Sequence, residues 1–144
     1  MHQKWVVVMN RSLMKVFLEK NQHLMHLKTL HNKAMNYSNS ELGRHYPGTI
    51  SEGSSKNTMS ASSPRELAVE AFARKIAKFL DNSRKRNLVS HVVIISEPRL
   101  MGLVRKHFSR PDFEMTTQWI AKDLAAAPTR YLEDVVEREA RLSG

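Results

Sequence analysis

His91-Val92-Val93-Ile94-Ile95-Ser96 is a short, nearly continuous apolar run rich in β-branched residues, the pattern of a central strand covered on both faces. Such strands run parallel to their neighbours and are flanked by helices, so the sequence on either side should read as helix. Upstream, Ser63 is suited to cap a helix, Pro64 to be its first residue, and Glu66 to complete a capping box. Val69, Phe72, Ala73, Ile76, Phe79 and Leu80 follow as an apolar stripe at helical spacing. Glu66, Glu70, Arg74 and Lys78 fall on the opposite side, with Glu70 and Arg74 spaced for an i,i+4 ion pair. The helix runs out in Arg84-Lys85-Arg86, which suits the negative end of its dipole. Downstream, Pro98 opens a second helix with Leu100, Leu103, Val104 and Phe108 turned to the core, and Pro111 is expected to stop it.

Farther out, the first thirty residues read as strands. Trp5 to Met9 is a second β-branched run, Asn10-Arg11-Ser12 has turn chemistry, and Leu13 to Leu18 and Leu24 to Leu30 are further strands. Strict alternation in the last of these puts Leu24, His26, Lys28 and Leu30 on one face and Met25, Leu27 and Thr29 on the other. Short connections predict an antiparallel meander. At the other end, Phe113 to Ile120 reads as a last strand and Pro128 to Arg141 as a final helix with Tyr131, Leu132, Val135 and Val136 inward. Between meander and first helix, residues 32–63 lose all periodicity, and Ser, Asn, Gly and Thr dominate, as in a long flexible loop. The order β-β-β-α-β-α-β-α predicts an α/β fold over residues 1–144 as a single domain. Its sheet should be mixed and five-stranded, of the ribonuclease H-like kind, with helices packed on it.

Composition narrows the function classes. The absence of cysteine removes disulfides, thiolate catalysis and zinc–thiolate sites. The apolar run at Trp5–Met9 is too short for a membrane span or a signal-peptide core, so a cytoplasmic location is expected. A formal net charge of +9 favours polyanionic partners, whether RNA, DNA, the ribosome or acidic lipid. The cations with the best claim are Arg74, Lys75, Lys78, Arg84, Lys85, Arg86, Arg105 and Lys106, with Lys33, Arg44, His45, Tyr46 and Lys56 in the long loop. Together they suggest a phosphate-tracking surface with one stacking aromatic. Ser96-Glu97-Pro98-Arg99 is a second candidate, where the free N–H groups of a helix start and Arg99 would hold a phosphate.

Catalytic chemistry has less support. A ribonuclease H-like nuclease needs carboxylates around two metal ions, one of them on the first strand, where this chain offers Val6, Val7, Val8, Met9 and Asn10. Glu66, Glu70 and Glu97 read as capping, pairing and turn residues. His23 and His31 share one face of their strand and His26 the other, so they do not converge on a metal. No Gly-rich phosphate loop or Gly-x-Ser-x-Gly elbow occurs. The expectation is a non-enzyme without cofactor or metal.

The ordered set Trp5-Val6-Val7-Val8, Gly43-Arg44-His45, Glu70-Ala71-Phe72-Ala73, Pro98-Arg99-Leu100-Met101-Gly102-Leu103-Val104-Arg105 and Lys122-Asp123-Leu124 resembles the bacterial host attachment proteins over nearly the whole chain. In that family an aspartate commonly follows the first strand, where this chain has Asn10. The family in turn resembles the central domain of archaeal and eukaryotic peptide release factors, which carry Gly-Gly-Gln on a mobile loop. No Gly-Gly-Gln occurs in this sequence, so peptide release by that chemistry is not expected. The resemblance implies an RNA- or ribosome-associated protein without catalysis, in translational stress or hibernation. The alternatives are a host-attachment factor with a host or bacterial protein partner, and a metal-dependent nuclease.

Overall fold

The computed structural model describes residues 3–36 and 63–143. Five strands form one sheet: β1 (Lys4–Met9), β2 (Leu13–Lys20), β3 (His23–His31), β4 (His91–Ser96) and β5 (Thr116–Ala121). Their order is β3-β2-β1-β4-β5. The meander β1-β2-β3 is antiparallel, and β4 lies parallel to both β1 and β5. This is the mixed, ribonuclease H-like sheet expected from the order of elements.

Because β1 and β4 are central, both of their faces are covered, and successive residues feed two separate cores. Trp5, Val7, Met9, Val92 and Ile94 pack under α1 (Pro64–Lys85), α2 (Pro98–Arg105) and α3 (Arg110–Met115), against Phe72, Ile76, Leu80, Leu100 and Val104. Val6, Val8, Val93 and Ile95 face the other way, against Leu132, Val135 and Val136 of α4 (Thr129–Ser143). All nine residues Val6–Met9, Val92–Ile95 and Ser96 are fully buried, so the two apolar runs do form the centre of the sheet.

Four details differ from the sequence reading. Pro111 does not stop α2, which has already ended at Arg105; it lies in the first turn of α3, whose N-cap is Ser109. Proline is tolerated there because the first N–H groups of a helix have no intrahelical acceptor. Phe113 therefore belongs to α3, and β5 starts at Thr116. Tyr131 is half exposed on α4 rather than inward. Finally, Phe17 pairs with His26 but Val16 pairs with Lys28, so Leu27 is an extra residue in a β-bulge.

The bulge changes which residues of β3 share a face. Leu24 packs with the α4-side core and Leu30 with the α1-side core. His26 meets the Phe17 ring edge-on, whereas Lys28 lies 5.2 Å from the centre of the Phe79 ring on the α1 side. His26 and Thr29, expected on opposite faces, are joined by a 2.7 Å hydrogen bond.

A short 3-10 turn, Lys33–Asn36, follows β3 and brings Met35 against the core. Among the described residues no helix is long and apolar enough to cross a membrane.

Candidate nucleic-acid interface

The α1 helix is long because its start is well capped and its apolar stripe is continuous. Ser63 Oγ accepts the Glu66 N–H at 3.1 Å, and the Glu66 carboxylate accepts the Ser63 N–H at 3.0 Å. That second bond, followed by the Arg99 guanidinium 2.8 Å from Glu66, holds the Glu66 carboxyl below its ordinary value. With Phe72, Ala73, Ile76, Ala77 and Leu80 buried, helical geometry leaves Arg74, Lys75 and Lys78 exposed on the outer face. None of these three forms an ion pair among the described residues. The Glu70–Arg74 pair expected from their spacing is not formed; Glu70 instead lines a cleft described below.

Arg74 and Lys78 line a shallow groove of about 270 Å³ between α1 and the α2–α3 connection, together with His107 and Ser109. Its floor carries Asp81 and Asp112, but both carboxylates are already held by cations. Arg84 donates from Nε to Asp112 at 2.9 Å and from Nη2 to Asp81 at 2.8 Å, and Lys85 reaches Asp81 at 2.9 Å. The Lys85 ammonium, with the Arg84 guanidinium, holds the Asp81 carboxyl well below the usual carboxylate range.

The residues singled out in the sequence therefore separate into groups. Arg74 and Lys78 share the exposed α1 face, and Arg86 is exposed at its C-cap. Arg84 is a structural residue, and Lys85 is paired but exposed. Arg99 is paired with Glu66. Arg105 sits over the α3–β5 aromatics, its guanidinium carbon 4.6 Å from the Trp119 ring centre and 5.5 Å from that of Phe113. Lys33 is exposed in the 3-10 turn. Arg44, His45, Tyr46 and Lys56 lie outside the described residues.

At the Ser96–Arg99 candidate, the free N–H groups of the helix start are taken up by a side chain of the same turn. Glu97 is the N-cap of α2, and its own carboxylate accepts the Arg99 N–H at 3.2 Å and the Leu100 N–H at 2.9 Å. A negative cap occupies the place where an anion would have to sit.

At the end of β1, Asn10 Oδ1 accepts the N–H groups of Ser12 at 2.8 Å and Leu13 at 3.0 Å, so its side chain builds the β1–β2 turn. Arg11 in that turn, Arg65 and Glu66 at the start of α1, Glu70 one turn on, and Arg99 at the start of α2 surround a cleft of about 110 Å³ floored by Met35, Val69 and Leu103. No sequence pattern singles out Arg11, which lies among turn residues, or Arg65, which is the second residue of α1. The parallel β1–β4 pair is what brings their two ends together, and no local pattern reports it. Among the described residues no group of His, Asp or Glu is placed to hold a metal ion.

A search of the curated proteins finds no match to the chain. Two solved structures are similar at 11% identity. One is an archaeal translation termination factor, aRF1, with a TM-score of 0.47 over 98% of this chain and 40% of that one. The other is described as an archaeal protein, with a TM-score of 0.45 over 99% of this chain and 41% of that one. The chain thus spans less than half the length of either structure. The family model described as "Protein required for attachment to host cells" matches residues 5–136, so the chain belongs to that family.

Proposed function

We propose that the chain is an RNA-binding protein, with ribosomal RNA as its expected target, and that it acts by occupancy rather than by catalysis. One observation carries this reading: Arg74, Lys75 and Lys78 stand together on the solvent face of α1 with no acidic partner among the described residues. Exposed cations without counter-charges attract phosphate and release its condensed counterions, the dominant source of affinity for nucleic acid. The acids that share their groove, Asp81 and Asp112, are neutralised by Arg84 and Lys85, so the groove retains its positive field. The net charge of +9 acts in the same direction over longer range.

Sedimentation of cell lysate through sucrose tests the proposal. The protein is expected to travel with ribosomal particles at low salt and to remain at the top at high salt. The triple variant Arg74→Gln, Lys75→Gln, Lys78→Gln should remain at the top under both conditions. Wild-type protein that never leaves the top fraction would sink the ribosomal reading.

A second reading follows from the family description and from the edge of the sheet. Met25 and Leu27 are 60% and 46% exposed on β3, an edge strand suited to a protein contact in attachment. Cell fractionation separates the two: surface-located protein supports attachment by direct contact, and material confined to the cytosol opposes it.

A further inference from the structure

We infer that the cleft at the ends of β1 and β4 is a pocket for one guanine base, presented by an RNA strand or by a free guanine nucleotide. The RNA form of this inference rests on the function proposed above. The cleft combines three features. Its floor is apolar, made by Met35, Val69 and Leu103. Its wall holds Glu70, half-buried, whose carboxylate makes no hydrogen bond or ion pair among the described residues. Its rim holds guanidinium groups, of which Arg11 also has no side-chain partner among the described residues, while Arg99 is held in place by Glu66.

Size limits the occupant. Pockets that enclose drug-sized ligands run to roughly 300–1,000 Å³, whereas an enclosed cavity of roughly 150 Å³ holds a single benzene ring. A cleft of about 110 Å³, open on one side, takes the inner part of one planar base and leaves sugar and phosphate outside.

Chemistry selects the base. An ionised carboxylate only accepts hydrogen bonds, and it does so best from two parallel donors. Guanine presents N1–H and N2–H side by side on one edge. Adenine and cytosine each place a ring-nitrogen acceptor next to their amino group, and uracil flanks its single N–H with two carbonyls. Each of these would set a lone pair against Glu70. The apolar floor supports the face of the ring, and an arginine plane at the rim can stack on it or meet its phosphate.

Position joins the cleft to the basic face. Glu70 and Lys78 are eight residues apart on one helix, about 12 Å along its axis, with Arg74 between them. A strand tracking the outer face of α1 therefore reaches the cleft within one or two nucleotides.

The test titrates purified protein with GMP, AMP, CMP and UMP by calorimetry. In parallel it measures binding of single-stranded RNA oligomers with and without guanine. GMP is expected to bind at least tenfold more tightly than the other three. Glu70→Gln, nearly isosteric and sited on an incompletely buried helix face, should abolish that preference while leaving the circular dichroism spectrum and melting temperature unchanged. Arg11→Ala should weaken GMP without changing the order of preference.

Guanine-dependent RNA binding, lost in Glu70→Gln, supports a base in RNA. GMP binding without RNA binding supports a free nucleotide and removes the RNA reading. Salt-sensitive RNA binding with equal response to all four nucleotides overturns the pocket and leaves the RNA reading standing. GMP affinity unchanged by Glu70→Gln also overturns it.

Discussion

Arg84 of α1 and Asp112 of α3 meet at 2.9 Å, and the Asp112 side chain is 1% exposed. Asp112 also closes the capping box of α3, where its carboxylate accepts the Ser109 N–H at 3.0 Å and Ser109 Oγ accepts the Asp112 N–H at 3.3 Å. One buried carboxylate thus fastens α3 to the longest helix and starts α3 at the same time. Replacing it strands part of the Arg84 charge and uncaps the helix. Asp112→Ala is expected to cost about 3 kcal/mol, in the range for breaking a buried ion pair from one side. Urea denaturation measures it. A cost under about 1 kcal/mol, the value of an ordinary surface pair, would show that Asp81 alone satisfies Arg84.

The same cluster governs acid stability. The folded-state carboxyl of Asp81 is depressed, chiefly by Lys85 and then by Arg84. A depressed carboxyl stabilises the fold fully above the ordinary carboxylate range and loses that contribution as the pH falls toward the folded-state value. Asp81→Asn should therefore melt below wild type at neutral pH, and the two curves should converge in strong acid. A constant difference across the whole titration would mean that the loss is one of packing rather than of charge.

Trp5 makes a different kind of prediction. It stacks on Phe79 with ring centres 6.1 Å apart, and its buried indole N–H has no hydrogen-bond partner among the described residues. An unsatisfied buried donor costs about 1–3 kcal/mol, which offsets part of the packing that the larger ring supplies. Trp5→Phe should accordingly change stability by less than about 1.5 kcal/mol, the range for tolerated core swaps. Trp5→Ala should cost about 3–5 kcal/mol, as large-to-small aromatic truncations do. Equal losses in the two variants would mean that the indole nitrogen carries a real bond.

What was legible in the sequence was what is local. Val6–Met9 and His91–Ser96 announce central strands because burial on both faces leaves no polar alternation. Ser63, Pro64 and Glu66 announce α1 because a cap lies within four residues. Ser109 and Asp112 carry the same capping signal, but Pro111 between them reads as a terminator. The bulge at Leu27 was not legible, because an extra residue shows only against the partner strand, and it moves Lys28 and Leu30 across the sheet from Leu24 and His26. Nor were the Arg84–Asp112 pair and the Arg11–Glu70–Arg99 cleft, whose members meet only through the parallel β1–β4 crossover and the packing of α1 against α2. The basic face lay between these extremes. Its residues stand out in the sequence, but nothing local separates Arg84, which is committed to two aspartates, from Arg74 and Lys78, which hold no acidic partner among the described residues.

That separation yields a quantitative prediction about salt. For single-stranded nucleic acid, each phosphate contact contributes roughly 0.7 to the slope of log affinity against log salt concentration. If Arg74, Lys75 and Lys78 each meet one phosphate, the triple glutamine variant should flatten the slope by about 2 and weaken binding to all sequences alike. Lys85→Gln should flatten it less, because that ammonium already neutralises Asp81. Binding of a single-stranded RNA oligomer by fluorescence anisotropy, repeated across a salt series, measures all three slopes. A triple variant that keeps the wild-type slope would move the phosphate contacts off α1, and the basic face would then be a solvated surface.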